Sequence, residues 1–202
     1  MQHQPNANYG LAAGPFNHPT YRLIRPFWSF FGRKFHVYAP DGTMVMFVKH
    51  PIFRLRQEFT MFSDESETRA MLVIKQRQIL ALNVAHDVFD AASGERVGTL
   101  RSRGLKSIVR DTWDILDPSD QPVGLVEEEG ASWLRRFIPL LLGKWKIELG
   151  GQRVSEVRQI FRFFTKEFEL DLSANHGRMD PRFALACALL ALMAESQRED
   201  RG

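Results

Sequence analysis

Hydrophobic and polar positions alternate along most of the chain, in short segments that occur in pairs joined by a turn. The unit from Trp113 to Val126 is typical, because apolar side chains alternate on both of its arms around a turn at Asp117–Asp120. A period of two is typical of strands with one buried face. Similar units begin at bulky residues spaced along the chain: Phe35, Phe59, His86, Trp113, Trp145 and Phe168. The pattern predicts roughly five or six successive β-hairpins.

The number of predicted strands indicates how the sheet closes. About twelve strands are more than a flat open sheet usually holds, and closure into a barrel removes both exposed edges. The pairs Asp41–Gly42 and Ser93–Gly94 support the hairpins, because glycine adopts the positive φ that tight turns require. The sequence therefore predicts a mostly β protein, folded as a closed β-barrel of about twelve strands.

One segment near the C-terminus departs from this alternation. The twelve residues Phe183–Ala194 are uncharged and apolar throughout, and Asp180 followed by Pro181 is a typical helix start. A helix that is apolar on every side must be buried on every side, and the inside of a barrel provides that surrounding. The alternative is a membrane anchor, which the length disfavours, because such a helix spans ~18 Å against a hydrocarbon core of ~30 Å. We therefore expect a central helix from Asp180 to about Gln197.

The chain has 202 residues, which is the size of one domain. We predict a flexible N-terminal tail over residues 1–20, a single barrel domain over 21–198 and a polar tail over 199–202, because the first segment is rich in Gln, Asn, Pro and Gly and lacks periodicity. The single cysteine, Cys187, excludes a disulfide framework, and the first residues do not resemble a secretory leader. We therefore expect a cytoplasmic protein.

Charge is divided unequally along the chain. The formal net charge is +3; residues 33–110 contain 13 basic and 8 acidic residues, whereas residues 111–202 contain 12 basic and 16 acidic residues. Such an asymmetry is typical of a protein with a face for an anionic partner. It is equally expected of two solvated surfaces that attract each other, and the sequence leaves both interpretations open.

The basic residues follow the repeat. They cluster at the same phase of successive units, just beyond the second arm of each hairpin, so that a barrel would bring them toward one rim. The candidate patch for anionic lipid headgroups comprises Lys49, Arg54, Arg56, Lys75, Arg77, Arg101, Arg103 and Lys106. The alternative is that these residues protect strand ends and keep the chain soluble. No aromatic and basic signature for nucleic acid is present, and we expect no nucleic-acid partner.

The segment Trp133–Leu142 lengthens one connection between repeats. It is apolar except for Arg135 and Arg136 near its centre. We expect it to pack over the barrel, and the alternative is an interfacial element with its arginines at the level of lipid headgroups.

No motif for catalysis accompanies the repeat. The histidines lack the spacing of zinc ligands, and the sequence contains neither a nucleophile elbow nor a phosphate-binding glycine loop. Cys187 lies within the apolar helix, where a thiol has no base to activate it. We therefore expect no enzymatic activity, no metal and no cofactor.

The repeated units and the final apolar helix together resemble a known group of proteins. The stretches FHVYAPDGTMVMFVK, HDVFDAASGERVGTLRS, WDILDPSDQPVGLVEEE, WKIELGGQRVSEV and DPRFALACALLALMAE are similar to the tubby C-terminal-like superfamily, and within it to the LURP-one-related and phospholipid scramblase families. The resemblance implies a closed barrel of about twelve strands around a central hydrophobic helix. It also implies association with phospholipids or phosphoinositides.

These observations predict a non-enzymatic module that binds phospholipids or phosphoinositides, or that interacts with other components at a membrane. Anionic phospholipid headgroups are the expected partner, at the inner face of the plasma membrane. Two alternatives stay open: a phospholipid scramblase that moves lipids between leaflets, and a protein-interaction domain that binds no ligand.

Overall fold

Twelve strands and one helix make up the fold in a computed structural model, which describes residues 14–26, 33–50, 58–80, 83–103, 112–129 and 142–199. The elements are β1 Thr20–Pro26, β2 Arg33–Tyr38, β3 Met44–His50, β4 Glu58–Phe62, β5 Ala70–Leu80, β6 Asn83–Asp90, β7 Arg96–Ser102, β8 Thr112–Leu116, β9 Pro122–Glu128, β10 Lys144–Leu149, β11 Gln152–Ile160, β12 Thr165–Asp171 and α1 Pro181–Glu199. The predicted hairpins correspond to β2–β3, β4–β5, β6–β7, β8–β9 and β10–β11.

The strands form a closed antiparallel barrel, as predicted. Each strand pairs with its neighbours in the chain, and β1 pairs with both β2 and β12 to close the circle. In the closing pair, Tyr21 lies opposite Leu170 and Leu23 lies opposite Phe168. The repeat in the sequence starts only at Arg33, so β1 is a strand that the repeat did not reveal. It supplies the partner that β12 lacks within its own repeat.

Closure in chain order gives the barrel two different ends. Because every neighbouring pair is antiparallel, all odd-numbered strands run toward one end, which we call the top, and all even-numbered strands run toward the bottom. The bottom carries the described turns at 39–43, 63–69, 91–95, 117–121 and 150–151, together with the start of α1. The top carries the turn at 161–164.

The helix fills the barrel, as predicted. Every residue from Phe183 to Met193 is buried, which leaves no exposed face on these three turns, and these residues share one core with inward side chains of the strands such as Phe35 and Trp145. At the start of α1, Asp180 Oδ1 accepts a hydrogen bond from the Arg182 backbone N–H at 2.8 Å. The helix passes so close to the wall that a Cβ on Gly98 would lie 2.5 Å from the ring of Phe183. None of the described helical residues form a segment long and apolar enough to span a membrane.

Cys187 lies inside this core. It is a free cysteine and is completely buried. Burial raises the pKa of its thiol well above the usual value. The thiolate is therefore disfavoured, and Cys187 acts as a packing residue.

Part of the predicted N-terminal tail contacts the barrel. Phe16 packs against the core. The hydroxyl of Tyr21 donates a hydrogen bond to the Pro15 carbonyl at 3.3 Å and accepts one from the His18 backbone N–H at 3.1 Å. Burial raises the pKa of Tyr21 to about 12, so the hydroxyl stays protonated and keeps its role as a donor. Residues 14–19 therefore form part of the described fold.

Candidate functional site

The candidate basic patch is described in part. Lys49, Lys75, Arg77, Arg101 and Arg103 are placed by the structure, whereas Arg54, Arg56 and Lys106 lie outside the described residues. Residues 133–141 of the apolar segment also lie outside them.

The described members of the patch lie toward the top of the barrel. Lys49 is the last residue but one of β3, and Arg103 directly follows β7. Lys75 lies opposite Glu58, the first residue of β4, and Arg77 lies two residues further along β5. Strand pairing therefore brings side chains from β3, β5 and β7 to the upper part of one wall. Each of these five cations, however, also contacts a carboxylate.

Arg101 and Arg103 share a single carboxylate. Arg101 Nη2 lies 2.8 Å from Asp114 Oδ2, and Arg103 Nε lies 2.8 Å from Asp114 Oδ1. Arg101 lies opposite Asp114 in the pairing of β7 with β8. Burial opposes ionisation of Asp114, but hydrogen bonds from Arg103 and Arg101 outweigh it and hold its pKa below the usual value. Two guanidinium groups on one carboxylate leave one positive charge in excess.

Arg77 and Arg96 form a second cluster together with Asp87 and Asp120. Arg77 Nε donates to Asp87 Oδ2 at 2.7 Å, and its Nη1 donates to Asp120 Oδ2 at 3.0 Å. Arg96 Nη1 lies 3.7 Å from Asp87 and 3.9 Å from Asp120. Thr99 Oγ1 donates to Asp87 Oδ1 at 2.6 Å. Two arginines and two aspartates balance in this cluster.

A strained turn places one of these carboxylates. Asp120 has a φ of 61°, a left-handed conformation in which it ends the turn between β8 and β9. The hydrogen bond from Arg77 is the main reason that the pKa of Asp120 lies below its usual value, and Arg101 adds a favourable Coulomb interaction. The turn therefore places the Asp120 carboxylate within hydrogen-bonding distance of Arg77 on β5.

We call the side chains of Arg77, Arg96, Arg101 and Arg103, with Asp87, Asp114 and Asp120, the arginine wall; it carries four positive and three negative charges. The interpretation that the basic and acidic parts of the chain attract each other thus has support in the structure. Arginines from the basic half of the chain pair with Asp114 and Asp120 from the acidic half, and a net charge of +1 is left over.

Lys49 and Lys75 flank the arginine wall with looser contacts. Their amines lie 3.5 Å from Glu67 and 3.7 Å from Glu58, and both side chains are more than half exposed. Exposed ion pairs of this kind contribute roughly 0–1 kcal/mol and exchange readily with other partners. An anionic ligand can therefore recruit these lysines at little cost.

A second network of nine ion-paired side chains lies on or directly beside strands β9–β12, and we call this network the mixed wall. Lys144 lies 3.0 Å from Glu156, and Lys146 lies 3.3 Å from Glu127 and 3.0 Å from Glu148. The cations Lys144, Lys146, Arg153 and Arg158 alternate with the carboxylates of Glu127, Glu129, Glu148, Glu156 and Glu169. Four positive and five negative charges give this wall a net charge of −1.

Sequence reasoning overlooked the turn between β11 and β12. Its residues Phe161, Arg162, Phe163 and Phe164 are all exposed at the top of the barrel. The signal was present, because bulky apolar residues occupy a position where hairpins usually carry Gly, Asn or Asp.

Comparisons with known proteins add little to this geometry. No family model matches the chain, and no curated protein matches it. Among solved structures, the chain is similar to an X-ray structure of a protein from Arabidopsis thaliana, with a TM-score of 0.47 and 14% sequence identity. The alignment covers 89% of this chain and 93% of that chain. The fold assignment rests on the strand order and the enclosed helix, and the resemblance to the tubby-like families stays a prediction.

Proposed function

We propose that this domain is a non-enzymatic module that binds anionic phospholipids or phosphoinositides at the surface of a membrane. The observation that carries the proposal is the pair Arg101 and Arg103 on the single carboxylate of Asp114. The carboxylate holds both guanidinium groups side by side and leaves a positive charge in excess. A phosphate group is a natural ligand for such a pair, because guanidinium groups bind phosphate oxygens through two parallel N–H donors.

The surroundings of this pair support the same function. Lys49 lies on β3 and Lys75 lies on β5, and both form weak, exposed ion pairs. Basic residues near an anionic membrane each contribute about 1 kcal/mol to binding. A membrane that meets the top of the barrel would gain this contribution from several strands together.

Flotation with lipid vesicles tests the proposal. Wild type is expected to float with vesicles that contain phosphatidylserine or a phosphoinositide, to stay behind with pure phosphatidylcholine, and to dissociate as salt rises. Equal flotation with anionic vesicles and with pure phosphatidylcholine vesicles at low salt would contradict the proposal. Transbilayer movement of a labelled lipid in the same vesicles would favour the scramblase alternative.

A matched pair of variants separates the site from the overall charge. Arg103→Glu and Arg158→Glu change the net charge equally, and each arginine forms ion pairs on its own wall, Arg103 with Asp114 and Arg158 with Glu169 and Glu156. Arg103→Glu is expected to weaken binding to anionic vesicles by about tenfold or more. Arg158→Glu is expected to have a much smaller effect, and equal losses would assign binding to net charge alone.

A further inference from the structure

The turn between β11 and β12 presents a group of aromatic side chains to solvent. Phe163 and Phe164 are 81% and 77% exposed, and Phe161 is 46% exposed. The rings of Phe161 and Phe163 meet edge to face, with centroids 5.1 Å apart. Contiguous exposed apolar groups mark interaction sites, whereas single exposed residues are ordinary.

Turn geometry does not account for these residues. The bottom turns at Gly42, Gly94 and Gly150–Gly151 use glycine at positive φ, which is the usual chemistry of tight hairpins. The turn at 161–164 contains neither glycine nor proline. Its phenylalanines contribute to no part of the core, so a role outside the fold is the remaining physical reason for them.

Basic residues occur within and next to the aromatic turn. Arg162 lies between the phenylalanines in the chain, and its Nε is 3.4 Å from Glu167 Oε2. At the start of β12, the pairing of β1 with β12 places Arg25 opposite Lys166. Aromatic rings with flanking cations are the combination that proteins use at the boundary between lipid headgroups and acyl chains.

A second apolar side chain stands next to the turn. Leu142 is 44% exposed. It is held there because Gly143 exchanges two hydrogen bonds with Gln159: the Gly143 N–H donates to Gln159 Oε1 at 3.0 Å, and the Gln159 N–H donates to the Gly143 carbonyl at 2.8 Å. Gln159 is two residues before Phe161. These two hydrogen bonds to Gln159 at the end of β11 thus position Leu142 beside the turn.

We propose that residues 161–164 form a membrane-insertion turn, in which Phe163 and Phe164 enter the interfacial layer of an anionic phospholipid surface. The proposal rests on the function proposed above and extends it, since the turn lies at the same end of the barrel as Arg101, Arg103 and Lys49. A single membrane surface across the top therefore meets both the cations and the aromatic rings. Lipid fits better than an apolar protein groove, because Arg162 lies within the turn and Arg25 and Lys166 lie opposite each other at the start of β12.

An environment-sensitive fluorophore tests the position of the turn. Cys187 is completely buried, so a thiol-reactive NBD label attaches to an introduced cysteine. Phe164→Cys places the label on the turn, and Val123→Cys places it on a residue of similar chemistry at the bottom, 42% exposed. With vesicles of phosphatidylserine and phosphatidylcholine, the label at 164 is expected to brighten at least twofold and to be quenched by doxyl groups on the acyl chains. The label at 123 is expected to stay unchanged.

A double variant tests the energetic contribution. Phe163→Ala with Phe164→Ala leaves the core intact and is expected to weaken binding to anionic vesicles by roughly tenfold to a hundredfold, with an unchanged melting temperature and an unchanged dependence on salt. If wild type binds and the label at 164 stays aqueous, or the double variant binds like wild type, the insertion turn is wrong while the proposed function stands. If wild type does not bind anionic vesicles, both fail. If wild type sediments as a dimer and the double variant as a monomer, the turn contacts a second copy and the lipid proposal is wrong.

Discussion

The arginine wall and the mixed wall carry the same number of basic side chains on one barrel, and their carboxylates differ. On the mixed wall, each cation lies between glutamates, so that Lys146 for example contacts both Glu127 and Glu148. On the arginine wall, Arg101 and Arg103 contact the same aspartate. One wall ends with a charge of −1 and the other with +1. Counting lysines and arginines cannot separate the two walls, and only the pairing across strands does so.

Both walls are built on one core, and variants that disrupt this core are expected to have the largest effect on stability. Leu189 is completely buried in the helix inside the barrel. Leu189→Ala is expected to lower the free energy of unfolding by about 2–5 kcal/mol, because the cavity cannot be filled from any side. Leu189→Arg is expected to be worse, since the charge has no route to solvent. Chemical denaturation measures both changes.

Removal of the helix provides the decisive control for this prediction. A fragment of residues 1–179 is expected to be insoluble, because the inward side chains of the strands lose their partner. A soluble fragment with cooperative thermal unfolding would contradict the account of the core.

Substitution of one carboxylate on each wall is expected to have the next largest effect. Asp114 is buried and accepts bonds from two arginines, whereas Glu169 is partly exposed and bonds to Arg158. Asp114→Ala is expected to cost about 1.5–3 kcal/mol of stability, and Glu169→Ala at most about 1 kcal/mol. The milder Asp114→Asn variant is expected to bind anionic vesicles more tightly than wild type, because it removes the competing carboxylate. Weaker binding by a folded Asp114→Asn variant would argue that the carboxylate serves only to position the arginines.

Acidification is expected to reduce the stabilisation that Asp114 contributes, and this effect is smaller than that of the Asp114→Ala substitution. The pKa of Asp114 lies below its usual value in the folded state, so its ionised form stabilises the fold at pH values above the unfolded pKa of about 4. This stabilisation is lost as the pH falls through the folded pKa. The difference in unfolding free energy between wild type and Asp114→Asn is therefore expected to shrink as the pH falls below about 4. A difference that stays constant over this range would contradict the role given to Asp114.

Much of the fold could be predicted because its signals are local. Alternation reveals the hairpins from β2 to β11, and Asp180 with Pro181 and an apolar run reveals the helix. Strand β1 was not predicted because it precedes the first repeated unit, follows Pro19 and ends at Pro26, and pairs with β12 at the other end of the chain. Closure of the ring is a long-range event that no local pattern records.

Of the candidate site, only the basic residues could be predicted from the sequence. The repeat placed Lys49, Arg101 and Arg103 at equivalent positions, but their carboxylate partners depend on register. Arg101 meets Asp114 because β7 and β8 pair in one particular register, and six of the other strand pairs contain a shift of register. The exposure of the phenylalanines at 161–164 was not predicted for another reason. A hydrophobic residue in a sequence does not reveal whether its side chain faces the core or solvent.

The central claim is that anionic membranes bind the arginine wall and its flanking lysines, and not the overall charge of the domain. Two triple variants with equal loss of charge test it most directly: Lys49→Gln, Lys75→Gln and Arg103→Gln on one side, against Lys144→Gln, Arg153→Gln and Arg158→Gln on the mixed wall. Their dissociation constants for phosphatidylserine vesicles would be measured at one low salt concentration, with melting temperatures as the control for folding. The first variant is expected to bind at least about tenfold more weakly than the second, which stays close to wild type. Equal dissociation constants for the two folded variants would contradict the claim.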